Sequence, residues 1–162
     1  MAAADLASIC ERRINRLLNP TLSGLPAFLV PDGGVRSGYL LVQTAAASLV
    51  SETRTLAMPT SVDSIPTSAD QEDHVSMGAW GGWKALCAVR NCRRVVAMEL
   101  LCAAEAVSFH QPVPPAPRLA CAHAWVREHA AALDVDRSLS AEIEGLAMLL
   151  EEDALLRRVG LR

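Results

Sequence analysis

The residues of this chain best suited to chemistry lie in one run, Pro66-Thr-Ser-Ala-Asp-Gln-Glu-Asp-His-Val-Ser-Met77, where Asp70, Gln71, Glu72, Asp73 and His74 follow one another. A carboxylate beside an amide, pointed into a cleft from a helix start, can accept hydrogen bonds from a substrate ammonium or remove a proton. The same residues have a plainer explanation. Thr67-x-x-Asp70 and Ser68-x-x-Gln71 both have capping-box spacing, and acidic side chains in a first turn are stabilised by the free N–H groups and positive dipole end of a helix. Either way, the spacing predicts a helix beginning near Asp70.

The elements around this run read as helices. Leu6, Ile9, Cys10, Ile14, Leu17 and Leu18 recur at helical spacing between Asp5 and Leu18, and Asn19-Pro20 stops that helix. Residues 22–34 contain Gly24, Pro26, Pro31, Gly33 and Gly34 and form an irregular connection, within which Phe28-Leu29-Val30 must be covered. A second helix is expected from about Ser37 to Ala57. It is apolar nearly all round, the pattern of a buried helix that needs neighbours on every side, supplied by the other helices here and by another subunit. Beyond a loop at 59–69, a third and longest helix is expected to reach about Ser108, with Leu86, Val89, Val96, Leu100, Ala103 and Val107 as its inner face. Residues 111–117 form a proline-rich linker, and shorter helices follow in 118–162, the last introduced by the caps Ser138 and Ser140.

Composition agrees with that pattern. The 162 residues are 51% hydrophobic and 20% charged but only 4% aromatic, so the core is built from Leu, Val, Ile and Ala, a palette that favours helix. The expected fold is all-α: a helical bundle around a long central helix, with residues 1–110 as the core carrying the motif and 118–162 packed against it.

A net charge of −3 gives no basic surface of the kind that nucleic acid or an anionic membrane requires. No stretch approaches the eighteen apolar residues of a membrane span. The five cysteines form no C-x-x-C pair and follow no secretory signal, which points to a reducing, cytoplasmic setting.

Other candidate sites are weaker. His123 and His129 lack companion ligands at metal-binding spacing, so no metal is expected. Cys87 and Cys92 do not share a helix face well and read as buried thiols. Gly33-Gly34-x-x-x-Gly38 has neither the lysine nor the preceding strand of a phosphate cradle and reads as a loop.

Beyond these properties, Glu11-Arg-Arg-Ile14, Gly33-Gly-Val-Arg-Ser-Gly38, Thr44-Ala-Ala-Ala47, Ser51-Glu52 and the whole run Ser61 to Met77 resemble, in order and spacing, the C-terminal third of the histidine ammonia-lyase family and its tyrosine and phenylalanine lyase relatives. The resemblance covers residues 6–110 and fades after the proline linker. It implies the elimination of ammonia from an aromatic or related amino acid, or the related 2,3-aminomutase chemistry, helped by an electrophilic methylidene-imidazolone ring formed from an internal Ala-Ser-Gly.

This chain contains no Ala-Ser-Gly. The family's tyrosine loop, its ring-side Asn and its carboxylate clamp also lie upstream of anything present here. The resemblance therefore implies that the ring belongs to a larger lyase-like partner chain, in a heterotetramer or larger assembly. It assigns Glu72 as the group near the substrate amino group or in proton transfer, with Gln71, and Asp70 beside it, close to the ring. Asp70 stands where the family usually has Asn, and Leu56-Ala-Met58-Pro59 where histidine lyases often have Leu-Ala-His-Pro. Met1 directly precedes the first family helix, as expected of a naturally short subunit or a C-terminal fragment. The alternative is a scaffold or regulatory subunit, or inactive fragment, that kept the bundle and lost the chemistry.

Overall fold

The computed structural model describes residues 1–110 and 112–161. Among the described residues there are seven α-helices and no strand: α1 (Ala2–Leu18), α2 (Pro20–Ser23), α3 (Leu40–Leu56), α4 (Gly78–Ser108), α5 (Pro117–His129), α6 (Ser140–Glu151) and α7 (Ala154–Arg158). The all-α expectation is met, and α4 is the long axis on which α1, α3 and α6 pack. Gln111, where the proline linker was expected to begin, lies outside the described residues; Pro117, its expected last residue, is the first residue of α5, where a proline lacks no useful N–H.

α1 ends where the sequence indicates. Asn19 leaves the helix in an extended conformation and its Oδ1 accepts the N–H of Thr21 at 3.0 Å, capping α2 with Pro20 at the first position. The apolar triplet of the next connection is covered: Leu29 and Val30 are each 1% exposed. Phe28 and Leu29 reach inward through left-handed backbone (φ 56° and 57°), and the Tyr39 N–H donates to the Phe28 carbonyl at 3.1 Å. A Cβ on Gly38 would lie 2.5 Å from that carbonyl, which is why the close approach needs glycine.

Four expectations are corrected. The helix expected from Asp70 begins at Gly78, because Ser68, Ala69 and Asp70 all adopt left-handed φ (55°, 53° and 64°) and turn the chain out of any helical path. Neither capping box forms. The inner face of α4 is also different. Its buried residues, apart from Lys84, lie between Asn91 and Ala106, whereas Leu86 and Val89 are 43% and 45% exposed and Val96, Leu100, Ala103 and Val107 are half-buried. Small side chains, Ala97, Cys102, Ala104 and Ala106 among them, share the buried positions with Val95, Met98 and Leu101. In α1, Ala4 and Ala7 are buried and Leu6 and Ile9 are 50% and 56% exposed.

Third, the helices of this chain do not by themselves enclose α3 on all sides. Val42, Ala46, Val50 and Thr53 form one buried stripe against α1 and α4, and Leu41 is 69% exposed. The helices of this chain supply one neighbouring side only. At the start of α6, Leu139 rather than a serine occupies the cap position, and Ser138 Oγ lies 3.5 Å from the Ser140 N–H.

Candidate functional site

The motif sits on a long excursion between α3 and α4. Its beginning is fastened to α4: the buried Lys84 donates from Nζ to the Met58 carbonyl at 2.6 Å, and Gly81 lets Thr60 approach so closely that a Cβ would lie 2.9 Å from the Thr60 hydroxyl oxygen. Ser64 then clips the loop shut, accepting the Val75 N–H at 2.9 Å and lying 3.2 Å from the Val75 carbonyl as a donor. Within the clip, Thr67 and Glu72 pair through their backbones, with N–H to O distances of 3.0 and 3.3 Å.

At the tip the Thr67 hydroxyl donates to Glu72 Oε2 at 2.8 Å. The loop thus holds one carboxylate in a set direction by a hydrogen bond from a residue five positions earlier. Asp70, Gln71, Glu72, Asp73 and His74 are all exposed, and the Gln71 N–H donates to the Ser68 carbonyl at 3.2 Å. The sequence placed these groups at a capped helix start. They occupy the tip of a clipped loop, and the orienting residue is Thr67, whose signal in the sequence was attributed to capping.

The positional chemistry of this tip is acidic. Asp63, Asp70, Glu72 and Asp73 fall between Met58 and Trp83 with no lysine or arginine among them. An exposed carboxylate with one oxygen held by a hydroxyl retains acceptor capacity for an ammonium. No residue of the tip lines the cavity of about 620 Å³ that lies between α3, α4 and α6 over Leu41, Val42, Met98 and Ile143.

That cavity is walled by a contact the sequence did not reveal. The Asp136 carboxylate accepts the N–H groups of Ser37 and Gly38 at 2.8 and 3.1 Å, which hold its pKa below the usual aspartate value, and Arg36 donates to the Leu133 carbonyl at 2.7 Å. The Gly33 to Gly38 segment offers its amides to a carboxylate of its own chain. Deeper in the bundle, Tyr39 is fully buried and donates to Glu105 Oε2 at 3.0 Å, where Arg127 also donates at 2.9 Å. Burial, and then the Glu105 charge, push the Tyr39 phenol well above its ordinary value.

Of the remaining candidates, His129 has a structural partner, whereas His123 Nε2 is buried and meets no hydrogen-bond partner among the described residues. His129 Nδ1 donates to the Trp125 carbonyl at 2.8 Å, and among the described residues no group of three or more His, Cys, Asp or Glu is arranged to hold a metal. Cys92 is buried and Cys87 half-buried. Burial, reinforced by Glu99, pushes the Cys10 thiol up to about 12.

A family model for aromatic amino acid lyases matches residues 1–128. The histidine ammonia-lyase of Symbiobacterium thermophilum is 54% identical over 159 residues, covering 98% of this chain and 31% of that protein. Among solved structures, histidine ammonia-lyase from Trypanosoma cruzi superposes with a TM-score of 0.91 at 41% identity, covering 97% of this chain and 31% of that one. Tyrosine aminomutase from Streptomyces globisporus gives a TM-score of 0.92 at 36% identity, covering 98% and 31%. The chain therefore spans about a third of the length of the relatives it matches.

Proposed function

Because this chain belongs to the aromatic amino acid lyase family, we propose that it contributes Glu72 to a carbon–nitrogen lyase or 2,3-aminomutase site completed by a larger lyase-like chain, in a heterotetramer or larger assembly. The observation that carries this reading is the Thr67 to Glu72 hydrogen bond, which orients an exposed carboxylate at the tip of a loop clipped shut by Ser64. The substrate is an aromatic or related amino acid; the names of the histidine ammonia-lyases and of the tyrosine aminomutase among the relatives support that class.

The residues of this chain include no Ala-Ser-Gly from which the methylidene-imidazolone could form, so the group does not fit within the chain itself. Its electrophile is assigned to the partner, and the steps left to this chain are those of its own side chains. Glu72 accepts a hydrogen bond from the substrate ammonium or takes a proton, and its position is limited by Thr67. Gln71, next to it on the same tip, offers an amide that both donates and accepts, and Asp70 adds a negative charge that favours a cationic amino group. Five free thiols support a cytoplasmic setting, and among the described residues no helix is long and apolar enough to cross a membrane.

The test is to assay the chain alone and with the ring-bearing chain on histidine, tyrosine and phenylalanine, following the conjugated acid by ultraviolet absorbance. Activity requires both chains and falls by about 100-fold or more in Glu72→Gln, the scale of a lost acid–base group. Equal activity of the chain alone, or undiminished activity of that variant, sinks the reading. The second reading is a scaffold or regulatory subunit, or inactive fragment, that assembles without chemistry. It is favoured by the separation of the 620 Å³ cavity from the Glu72 loop, and it predicts a complex indifferent to Glu72→Gln.

A further inference from the structure

A cavity of about 470 Å³ opens between the second half of α1, the short α2 and the second half of α4. Leu17, Leu22 and Leu25 give it an aliphatic wall, in which Leu25 is buried and Leu22 is 49% exposed. Three groups able to carry positive charge also line it. Arg13 and Arg16 stand three residues apart on one face of α1, and His110 follows the end of α4 by two residues.

One carboxylate, that of Glu99, is among the lining residues, and it is already engaged. It is buried, its Oε1 lies 2.7 Å from Arg13 Nε, and the Cys10 thiol hydrogen-bonds to it as well. Arg16 and the His110 ring, by contrast, make no hydrogen bond or ion pair among the described residues. The 620 Å³ cavity differs in this respect, for both of its arginines are bound, Arg94 to Glu144 and Arg137 to Glu142. The smaller cavity is therefore the one that sets a free guanidinium, with its fork of five N–H donors, beside an apolar wall.

With Arg13 and Glu99 neutralising each other, one guanidinium is left uncompensated, and it matches one negative charge. A carboxylate fits its planar fork through two parallel hydrogen bonds. A dianion would bring a second charge to an aliphatic wall that cannot solvate it, whereas an apolar body gains by displacing water from the same wall. We propose that this cavity binds a small amphipathic carboxylate, with its carboxylate on Arg16 beside His110 and its apolar body against Leu17, Leu22 and Leu25. The cavity shares no lining residue with the Glu72 loop, so its ligand is independent of the chemistry assigned there.

The experiment titrates the full chain with phenylacetate and hexanoate by isothermal calorimetry, and reads the leucine methyl signals by carbon-edited NMR. Benzyl alcohol lacks the charge, acetate lacks the apolar body and inorganic phosphate offers an anion without either feature. Both amphipathic probes bind with a Kd of about 1 mM or tighter and shift the Leu17, Leu22 and Leu25 methyl signals, and the three controls bind at least about tenfold more weakly. Arg16→Gln weakens phenylacetate binding by about tenfold at unchanged helicity, the scale of a lost charge-assisted pair, and Leu22→Glu abolishes it. Arg90→Gln, on an exposed arginine outside the cavity, leaves it unchanged. No binding of phenylacetate at about 10 mM overturns the proposal, and so does equal binding of benzyl alcohol. Acetate or phosphate binding as tightly as phenylacetate means a plain basic patch and overturns it too. If Arg16→Gln loses helicity, His110→Gln and Leu22→Glu decide instead, and unchanged affinity in both of these overturns the assignment.

Discussion

Thr67 donates its hydroxyl to Glu72 Oε2 at 2.8 Å across a pair of backbone hydrogen bonds between the same two residues. One residue thereby sets both the path of the loop and the direction of the carboxylate. Thr67→Val removes the second effect and leaves the first. Amide exchange at Gln71 and Glu72 should stay unchanged, while turnover of the proposed lyase complex should fall by about fivefold, the scale of one solvent-accessible hydrogen bond of roughly 1 kcal/mol. Thr67→Ser should restore that turnover.

The motif loop also marks where helix signals mislead. Thr67-x-x-Asp70 is compatible with a capping box and with a left-handed turn, and only the paths of Ser64 and Val75 decide between them. The stop at Asn19-Pro20 and the span of α3 were readable because proline chemistry and apolar periodicity are local. The inner face of α4 was not, since the helix is apolar on several sides and only its stretch from Asn91 to Ala106 is packed, which leaves Leu86 and Val89 exposed.

Tyr39 and Glu105 are 66 residues apart in sequence and meet inside the bundle, with Arg127 completing the group. Tyr39→Phe removes one donor and should cost about 1 kcal/mol in urea unfolding. Glu105→Ala should cost about 3 kcal/mol, because it strands both the phenol and the guanidinium without their acceptor. The double variant should be less destabilised than the sum, since the two changes remove one shared contact.

Acid should loosen the α1–α3 contact first. Glu11 is buried, bonded by Arg12 and by Gln43 at 2.7 Å, and the Arg12 guanidinium holds its carboxyl below the ordinary value of 4.5. A carboxyl lowered in the folded state contributes stability that is fully present above its unfolded pKa and is lost as pH falls through the folded one. Stability measured from pH 6 downward should therefore decline below about pH 4.5, and Glu11→Gln should flatten that decline.

Thiol labelling should separate the cysteines by environment. With Cys10 pushed up to about 12 and Cys92 and Cys102 also raised by burial, iodoacetamide at pH 8 should modify the half-buried Cys87 and Cys121 first. Peptide mapping by mass spectrometry reads the order, and early modification of Cys102 would contradict the packing of α4.

The Asp136 clasp on Ser37 and Gly38 joins segments 98 and 99 residues apart. During synthesis, the turn ahead of α3 is complete long before its carboxylate partner leaves the ribosome, so that corner of the bundle must wait, its amides served by water. Any nascent chain halted before Asp136 carries an unlatched wall beside α3, and the last quarter of the polypeptide closes a door built in the first.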